Sequence, residues 1–590
     1  FKDGFGVKIP IQQVRHYYRD IAGHVVYTDF HTLQGEPGLA ALIFVRIPSL
    51  KPGIVTNKKI ADTFKARFET VNNRLFGELN PFEYRHRTVK RFVLVNDAPP
   101  ETVKGNISSR AIQQTYASLI ASMRKYFASE PWIYPVDVRR ADYDAYTEHA
   151  NAYVGRMLRD LKMDLVYHRA GKDSLYSYRE GRETEILDFV GGFGCTLLGL
   201  YPDELKQASE QFLKANAIAL TNQGSIQTEV GQLAELLNEM VGRETNKNYR
   251  VLLGSTGAEA VEIAVQHATM EWRKLLEKHR HRQFQRFGAS AGKLVREIWD
   301  YNSKLAETAR LSIITLKNAF HGYSSAARSL IGNPEQRTYF SNISGINPIF
   351  IDDASAGWKK VLHQQLKDAQ IVLKWLVVSK GKIEVKNRAV STVIAALVEP
   401  ITGEGGVRVV NREFLSYLST FDFPLIFDEI QSGLGRTGQL LASNGIPGDY
   451  YLLGKALGGG LEKISAVLID KDRYIPEFGK YYATTFGNGE AAAKIAWTVL
   501  SLIKKLDIPK QASMKGRQLK SRLEQVATRY PDVFERIDGE GLLLGIRFKD
   551  FSKCDNILIR LAYNQKFLGY LCASYLLNRH NIRVLPSLSA

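Results

Sequence analysis

The chain has 590 residues, which is too long for a single hydrophobic core and predicts at least two domains. Hydrophobic residues make up 45% of the sequence and charged residues 24%, values typical of a globular protein that exclude a collagen-like or low-complexity chain. The net charge of +18 raises the possibility of nucleic-acid binding, but the basic residues are spread along the chain and only residues 272–287 form a dense patch.

Cysteine content and hydropathy set the expected compartment. Cys195, Cys554 and Cys572 are too few and too scattered for a disulfide framework or a structural zinc site, so we expect no metal and a reducing, cytoplasmic location. No apolar run approaches the roughly twenty residues that cross a bilayer, so we expect no membrane span. The chain starts at Phe1 and stops shortly after an apolar run, so both ends are expected to be arbitrary cuts from a longer protein.

The first segment alternates apolar strand-like runs with helical patterns. The runs ALIFVRIPSL and KRFVLV, with the helical segments TNKKIADTFKARFETVNNRL and NISSRAIQQTYASLIASM, predict a small α+β domain over residues 1–125. A connector and helical lead-in over residues 126–172 follow.

From Asp173 onward, apolar runs alternate with helical segments, which predicts an α/β fold with a mostly parallel sheet covered by helices on both faces. The runs that carry this prediction are YRVLLG (249–254), RLSIITL (310–316), VSTVIAALVEP (390–400), FPLIFDE (423–429) and the shorter YYLLGKA. Ligands of such sheets bind beyond the carboxyl ends of the strands, so the residues just after these runs are the candidates for chemistry.

The first strand end predicts an anion site. Thr256, Gly257 and Ala258 follow YRVLLG at the start of a helix, where free N–H groups and the helix dipole favour a phosphate. The residues alone also fit a plain strand-to-helix turn.

Two later strand ends carry ionisable groups. Asp428 ends an apolar strand and is expected to be poorly solvated unless it meets a cation, such as a protonated pyridine nitrogen. Lys455 stands before three glycines, and a desolvated lysine can form a Schiff base with an aldehyde. The alternatives without a chemical role are that Asp428 only caps the end of a strand and that Lys455 is an exposed loop lysine. Together, a phosphate site, a pyridinium partner and a Schiff-base lysine are what pyridoxal 5′-phosphate (PLP) requires.

A different cofactor is suggested by Gly433, Gly435 and Gly438, which have the G-x-G-x-x-G spacing of dinucleotide-binding loops. Asp428 and Gln431 lie between the strand and the first glycine, so the loop does not lead directly into a phosphate-holding helix. The glycines are expected to shape a loop beside the pocket, with Arg436 as a polar anchor.

From about Leu175 to the end, the chain resembles the class III PLP-dependent aminotransferases of the ornithine and acetylornithine type. The motifs GSTGAEA, AFHGYSSA, VEPITGEGGV, FDEIQSGLGRTG, LLGKALGGGL and TTFGNGEAA occur in the family order. The resemblance implies the type I PLP fold, with the large PLP-binding domain over residues 173–500 and a small carboxy-terminal domain over 501–590.

The resemblance also assigns site residues. Lys455 would be the Schiff-base lysine and Asp428 the partner of the pyridinium nitrogen, and both are the predicted catalytic residues. The predicted cofactor contacts are Thr256, Gly257, Ala258, Phe320, His321, Glu399, Asp428, Gln431, Lys455 and, from the neighbouring subunit of a homodimer, Thr485.

Substrate selection follows the same resemblance. Arg583 matches the family arginine that pairs with an α-carboxylate, and Glu404 matches the glutamate that neutralises this arginine with other donors. A structural ion pair is the alternative. His267, in the helix after the anion site, is expected to be packed or on the surface rather than catalytic.

The chain departs from the family in two places. YSSA replaces the usual arginine-threonine continuation after AFHG, and a long basic helical insertion occupies about residues 272–309. We expect the insertion to form a helix with a solvated basic face rather than a nucleic-acid site, while docking to an acidic partner or carrier domain stays open.

The amino-terminal segment resembles, more weakly, the carboxy-terminal domain of adenylate-forming enzymes, with PPETVKGNISSRAI like their end motif. Lys104 or its neighbourhood would supply their mobile lysine. The resemblance implies a larger multidomain biosynthetic protein.

The predicted function is a ping-pong transfer of an amino group from a small amine or amino-acid donor to a carbonyl acceptor, free or carrier-tethered. A PLP-dependent aminomutase, racemase or decarboxylase of the same fold stays open, as does a catalytically silent scaffold.

Overall fold

A computed structural model of the chain describes residues 11–18, 25–33, 38–78, 89–101, 106–124, 134–135, 141–179, 182–215, 224–340 and 343–586. The helices of these residues are α1 (Ile11–Tyr17), α2 (Lys58–Glu78), α3 (Ser109–Thr115), α4 (Ala117–Arg124), α5 (Ala141–His149), α6 (Ala152–Asp160), α7 (Asp203–Lys214), α8 (Thr228–Thr245), α9 (Gly257–Thr308), α10 (Ser325–Ser329), α11 (Pro334–Arg337), α12 (Trp358–Asp368), α13 (Arg412–Leu418), α14 (Phe478–Tyr481), α15 (Glu490–Lys505), α16 (Ile508–Arg529), α17 (Ile557–Asn564) and α18 (Leu568–His580).

The strands are β1 (Val25–Thr32), β2 (Leu39–Val45), β3 (Gly53–Ile54), β4 (Val89–Asn96), β5 (Tyr134–Pro135), β6 (Tyr167–Gly171), β7 (Ser174–Arg179), β8 (Arg182–Asp188), β9 (Tyr249–Gly254), β10 (Ser312–Leu316), β11 (Asn347–Ile351), β12 (Gln370–Ser379), β13 (Lys382–Ser391), β14 (Val393–Val398), β15 (Ile401–Thr402), β16 (Arg408–Val409), β17 (Leu425–Asp428), β18 (Tyr450–Leu453), β19 (Ser465–Asp470), β20 (Phe534–Glu540), β21 (Leu543–Phe548) and β22 (Ile582–Arg583).

The chain divides into two compact units. The first contains residues 1–170, 174–188 and 574–583, and the second contains residues 171–173, 189–573 and 584–590. This division differs from the sequence-based boundaries at 125, 172 and 500, because strands far apart in sequence pair in the first unit: β22 pairs in parallel with β8 in a sheet of order β22-β8-β7-β6. A pairing between residues 582 and 187 leaves no local signal in the sequence.

The amino-terminal part of the first unit contains both helices and strands, and a separate small α+β domain over residues 1–125 stays a prediction. Its sheet has the order β1-β2-β4-β3, with β1 antiparallel and β4 parallel to β2, and β5 pairs with β4. Every residue of β2 is buried, and its side chains alternate between two apolar clusters, one on each face of the sheet. Lys104 lies outside the described residues.

The second unit is built on a seven-stranded sheet of order β11-β10-β14-β17-β18-β19-β9. All neighbours from β11 to β18 are parallel, while β19 is antiparallel to both β18 and β9. The mostly parallel α/β sheet predicted from the sequence is therefore confirmed. Since β19 alone is reversed, the carboxyl end of β9 lies at the same edge as those of β10, β14, β17 and β18.

Both faces of this sheet are covered. Strands β14, β17, β18 and β19 are buried throughout, as continuous apolar runs of Val, Ile and Leu predict for a sheet between helical layers. Alternate side chains enter two separate cores, and the pair Tyr450 and Tyr451 illustrates this, since each ring belongs to a different core. Helices α8 and α15 contribute to one core and the first half of α9 to the other.

The structure corrects part of the strand reading. The run 390–400 is not one strand: β13 ends at Ser391 and β14 starts at Val393, because β12 and β13 form a separate hairpin of two ten-residue strands. The edge strand β11 and the internal strand β19 of the seven-stranded sheet were absent from the prediction. The basic insertion forms the distal part of the 52-residue helix α9, with a break at Ala291. No described helix is long and apolar enough to cross a membrane.

Candidate active site

The predicted site residues of the second unit follow the carboxyl ends of five neighbouring or near-neighbouring strands. Thr256 follows β9, His321 follows β10, Glu399 follows β14, Asp428 ends β17 and Lys455 follows β18. This is the edge at which open α/β sheets bind ligands, because turns and helix starts there leave polar groups facing a crevice.

The anion site is the start of α9. Thr256 is the N-cap, and its hydroxyl accepts the N–H of Glu259 at 3.2 Å, while the Glu259 carboxylate accepts the N–H of Ser255 at 2.6 Å. The N–H groups of Gly257 and Ala258 lie in the first turn, which has no internal acceptor for them. The sequence therefore forms a capped helix start with free donors.

Two glycines allow this helix start to fit its surroundings. A Cβ on Gly257 would lie 2.9 Å from Cδ1 of Ile430, the second residue after β17. Gly322, with φ of +117°, packs so closely that a Cβ there would lie 2.8 Å from Cβ of Ala258. Close packing therefore joins the helix start to the loops that carry Asp428 and His321.

Asp428 is buried and paired with His321. Its Oδ2 lies 2.7 Å from Nδ1 of His321, and its Oδ1 accepts the N–H of Ile430 at 3.2 Å. The other ring nitrogen of His321, Nε2, lies 3.1 Å from the hydroxyl of Thr315 on β10. The carboxylate is thus held at both oxygens, and the chain Thr315–His321–Asp428 fixes its orientation. Thr315 was not among the predicted residues, since a buried strand threonine has no distinguishing sequence signal.

Glu399 joins two loops beneath the site. Its two carboxylate oxygens accept the N–H groups of Phe320 at 2.9 Å and Gly403 at 3.0 Å. Burial raises its pKa to about 7, the positive charge of His321 opposes the shift and the charge of Asp428 adds to it. Glu399 therefore connects two loops through hydrogen bonds, and its direct contact with a cofactor stays a prediction.

Lys455 is held in a strained backbone conformation at the end of β18. Its φ is +42°, in the left-handed region that is unfavourable for a residue with a side chain, and it starts a short 3₁₀ turn ending at Gly458. Burial lowers the pKa of its amine, while the charges of Asp428, Glu399 and Glu404 oppose that shift. The amine is therefore desolvated, and three carboxylates act on it electrostatically.

Gln431 is the direct partner of that amine. Nζ of Lys455 donates to Oε1 of Gln431 at 2.6 Å. A Cβ on Gly194 would lie 4.0 Å from Cδ of Lys455 and 3.9 Å from Cγ of Gln431, so the turn at 191–194 forms part of the site. Arg436 Nη2 donates to the carbonyl of Gly194 at 3.3 Å, which makes it an anchor between the loop after β17 and this turn. The cluster VGGFGC was the sequence signal for the turn, and it was overlooked.

Two aromatic residues of the AFHGY segment are in contact. The rings of Phe320 and Tyr323 meet edge to face, with centroids 5.2 Å apart. Burial raises the pKa of Tyr323, and the charge of Glu404 adds to that shift. Glu404 therefore acts electrostatically on both Lys455 and Tyr323.

Arg583 belongs to the first unit. Its Nη1 donates to Oδ1 of Asp188 at 3.0 Å, and its guanidinium carbon lies 5.6 Å from the ring centroid of Tyr167. The ion pair named as the alternative is present, and the role of Arg583 toward a substrate carboxylate stays a prediction.

Thr485 lies in an exposed stretch before α15. Its side chain and that of Phe486, which is 65% exposed, face outward, while a Cβ on Gly487 would lie 2.6 Å from the carbonyl of Leu253 on β9. The stretch therefore runs past the strand that leads into the anion site.

His267 is structural. It is fully buried, its Nε2 accepts the N–H of Ile475 at 3.1 Å and its Nδ1 lies 2.6 Å from the hydroxyl of Tyr450. Burial lowers its pKa to about 4. Its side chain packs between elements, as the sequence analysis expected, and takes no part in the carboxyl-edge cluster.

The glycine spacing at 433–438 does not form a dinucleotide site. Residues 430–440 are turns without a following helix, and Gly435 and Gly438 have φ of +106° and +95°. Among the described residues, no group of three or more His, Cys, Asp or Glu side chains is arranged to hold a metal ion.

Comparison with known proteins gives a consistent result. A family model described as "Aminotransferase class-III" matches residues 159–589. The chain is 29% identical over 452 residues to "Aminotransferase PigE" of a Serratia species, which is 74% of this chain and 44% of that protein. It is 26% identical over 463 residues to the acetylornithine aminotransferase of a Synechocystis species, covering 77% of this chain and 91% of that one.

Solved structures share the fold. The ornithine aminotransferase of Toxoplasma gondii superposes with a TM-score of 0.53 at 22% identity, covering 75% of this chain and 91% of that one. A second structure of the same enzyme is described as having partial occupancy of PLP at its active site. The chain spans less than half the length of the Serratia relative, so nothing about the whole of that protein is carried over.

Proposed function

Because this chain belongs to the class III aminotransferases, which are PLP-dependent enzymes of the type I fold, we propose that its carboxyl-edge site moves an amino group from a small donor to a carbonyl acceptor through Lys455. The observation that carries the proposal is the position of the desolvated Lys455 amine, which donates to Oε1 of Gln431 at 2.6 Å and interacts electrostatically with the buried carboxylate of Asp428.

The donor set fits PLP. The free N–H groups of Gly257 and Ala258 suit its phosphate, the buried carboxylate of Asp428 suits its ring nitrogen, and Phe320 offers an aromatic face. When bound, PLP supplies an aldehyde for the amine and an electron-accepting ring. Metal ligation plays no part in this assignment.

Lys455 would bind the cofactor and move the proton. Desolvation lowers the pKa of its amine, so the neutral, nucleophilic form is more accessible than for an exposed lysine. The Lys455 amine would take a proton from the substrate carbon and return it to a second position, and Gln431, which accepts a hydrogen bond from Nζ at 2.6 Å, would orient that amine. General acid and base roles then fall to one residue.

Asp428 would keep the ring nitrogen protonated, since a buried carboxylate strongly favours a cation in contact with it. His321 and Thr315 orient the carboxylate from behind. Glu399 fixes the backbone of Phe320, and so fixes the ring that would lie against the cofactor.

Substrate choice is proposed to depend on Arg583 and Glu404. An arginine fork suits a carboxylate, and a glutamate beside Lys455 disfavours a second negative charge near the amine. Amino acids and plain amines are both within this proposal, and either free or carrier-tethered carbonyl compounds would serve as acceptors.

Assembly and context belong to the same proposal. The exposed Thr485 and Phe486 support a homodimer in which Thr485 reaches the phosphate of the neighbouring subunit. We further propose a cytoplasmic, multidomain biosynthetic protein whose amino-terminal unit is related to the carboxy-terminal domain of adenylate-forming enzymes.

The test is a donor screen with the full chain and PLP. Glutamate, alanine and simple primary amines are each supplied without acceptor, and we expect one of them to release its carbonyl product in an amount matching the enzyme. Release of carbon dioxide, or an inverted amino acid without keto acid, would instead support a decarboxylase or racemase. We expect Lys455→Ala to reduce turnover by at least about 10³-fold. Lys463→Ala, an exposed lysine on the same loop, is the matched control.

A further inference from the structure

Positive charge is concentrated in one part of the second unit. Residues 273–296 and 370–391 contain thirteen Lys and Arg against two Glu, a net charge of +11 out of +18 for the whole chain. The first segment is the distal part of α9 and the second is the hairpin β12–β13. We call these two segments the basic lobe.

The basic lobe is a defined structure. Two side-chain amides of α9 form hydrogen bonds to the edge of β12 that does not pair with β13. Gln283 accepts the N–H of Leu376 at 2.9 Å and donates to its carbonyl at 3.3 Å, and Asn302 does the same with Lys374 at 2.9 and 2.8 Å. Phe287 and other apolar side chains of α9 share a core with the hairpin. The charges are therefore mounted on fixed elements.

Side chains from the helix and from the hairpin meet at Trp375. His279 of α9 and Arg388 of β13 both lie against Trp375, at 5.3 and 5.1 Å from its ring. Lys278 and Arg282 act electrostatically on His279 together with Arg388. Since Arg388 and Lys386 pair with Leu373 and Trp375, they share the hairpin face that packs on the helix.

Most of these charges have no carboxylate partner among the described residues. Eleven of the thirteen basic residues are exposed, and within the described part of the chain none of the eleven is in an ion pair. Lys278, Arg282 and Arg286 are spaced four residues apart on one helix face, where like charges repel and destabilise the helix. The arrangement is unfavourable for the isolated chain and becomes favourable against an acidic surface.

We propose that the basic lobe docks an acidic helical segment of a partner protein. The cationic face of α9, which carries Lys278, Arg282 and Arg286, also exposes an apolar side chain: Leu275 is 48% exposed and lies one turn before Lys278. Trp375 lies between these cations and those of β13, Lys386 and Arg388. Arginine, aromatic and apolar side chains together are typical of protein interfaces, whereas binding to a phosphate backbone is dominated by electrostatic contacts from cations and does not need an exposed apolar side chain.

The test measures binding of a labelled synthetic helical peptide with Glu at every fourth position and Leu between them. The full chain is compared with K278E/R282E/R286E, with K386E/R388E on the hairpin, and with the control K515E/R522E/R529E on the exposed face of α16. We expect both lobe variants to weaken binding at least about tenfold and the control to stay within about twofold. Binding to the full chain should weaken as salt increases.

Duplex DNA and phosphatidylcholine vesicles with about 30% phosphatidylserine are tested in parallel. The proposal is overturned if the peptide does not bind, if DNA or vesicles bind more tightly than the peptide, or if the α16 control loses as much binding as the lobe variants. Binding is read out without turnover, so a failure here is separate from a failure of the proposed transamination. The PLP absorbance of each variant shows that it is folded.

Discussion

Two buried histidines of the second unit show how differently the same residue is used. His321, at the carboxyl edge of the sheet, contacts a carboxylate, with 2.7 Å between its Nδ1 and Oδ2 of Asp428. His267, in α9, contacts a phenol and a backbone N–H and has no carboxylate against its ring. Both are almost completely inaccessible to solvent.

The difference lies in what each ring can do with a proton. Because Ile475 donates its N–H to Nε2 of His267, that nitrogen is an acceptor, and the proton on Nδ1 points to Tyr450. Tyr450 donates in turn to Glu271, so the ring is fixed as a neutral imidazole within a structural network. His321 instead lies between a carboxylate and a hydroxyl, so its ring connects Asp428 to Thr315.

Burial alone therefore does not identify a functional histidine. Neutral partners with fixed donor directions indicate a structural role. A carboxylate that itself faces a ligand site indicates a positioning role. Matched substitutions in the two networks can separate these roles.

The largest difference is expected for the two carboxylates. Asp428→Asn should lower kcat/KM by about 10²-fold or more, because the amide cannot stabilise a protonated ring nitrogen. Glu271→Gln should leave kcat/KM within about twofold and instead lower stability by about 1–3 kcal/mol, since Arg473 loses one of its two charged partners and keeps Asp449. Steady-state rates and urea unfolding of both variants check this, and an inactive Glu271→Gln enzyme would contradict the separation.

A pH effect is expected for His267. Its pKa in the folded chain is about 4, below the ordinary 6.5, so the unfolded chain binds more protons between these values and stability must fall as the pH falls through this window. The loss approaches about 3 kcal/mol at its largest. His267→Gln should lower stability near neutral pH and flatten this dependence. Equal pH slopes for the wild type and the variant in urea unfolding would show that the ring does not cause it.

The smallest effect is expected for His321. His321→Gln keeps a hydrogen-bonding group beside Asp428, so kcat should fall about tenfold with KM little changed. The absorbance of bound PLP should titrate at a different pH, because the ring nitrogen depends on the Asp428 charge. A merely structural residue would move neither the titration nor the ratio of kcat to KM, and His267→Gln is the matched control for both.

Many residues of the candidate site could be predicted from the sequence because they directly follow strands and lie in short motifs. Lys455, Asp428, Gln431 and Thr256 all stand within a few residues of an apolar run whose end defines their position. Thr315 and Gly194 were missed, because each reaches the site only through contacts with segments distant in sequence. The hairpin β12–β13 was missed because its outer strand is mostly polar and exposed.

Local periodicity and motifs a few residues long were sufficient to predict the fold class and the family, which are confirmed, and to predict Lys455 and Asp428 as the reactive lysine and aspartate. Only the tertiary structure decided which groups face each other: His321 against Asp428, His267 against Tyr450, and Arg388 beside the cationic face of α9. The physical reason is that hydrogen bonds and charges act over a few ångströms in space, and pairs such as 321 with 428 are brought within that distance only by the folded sheet.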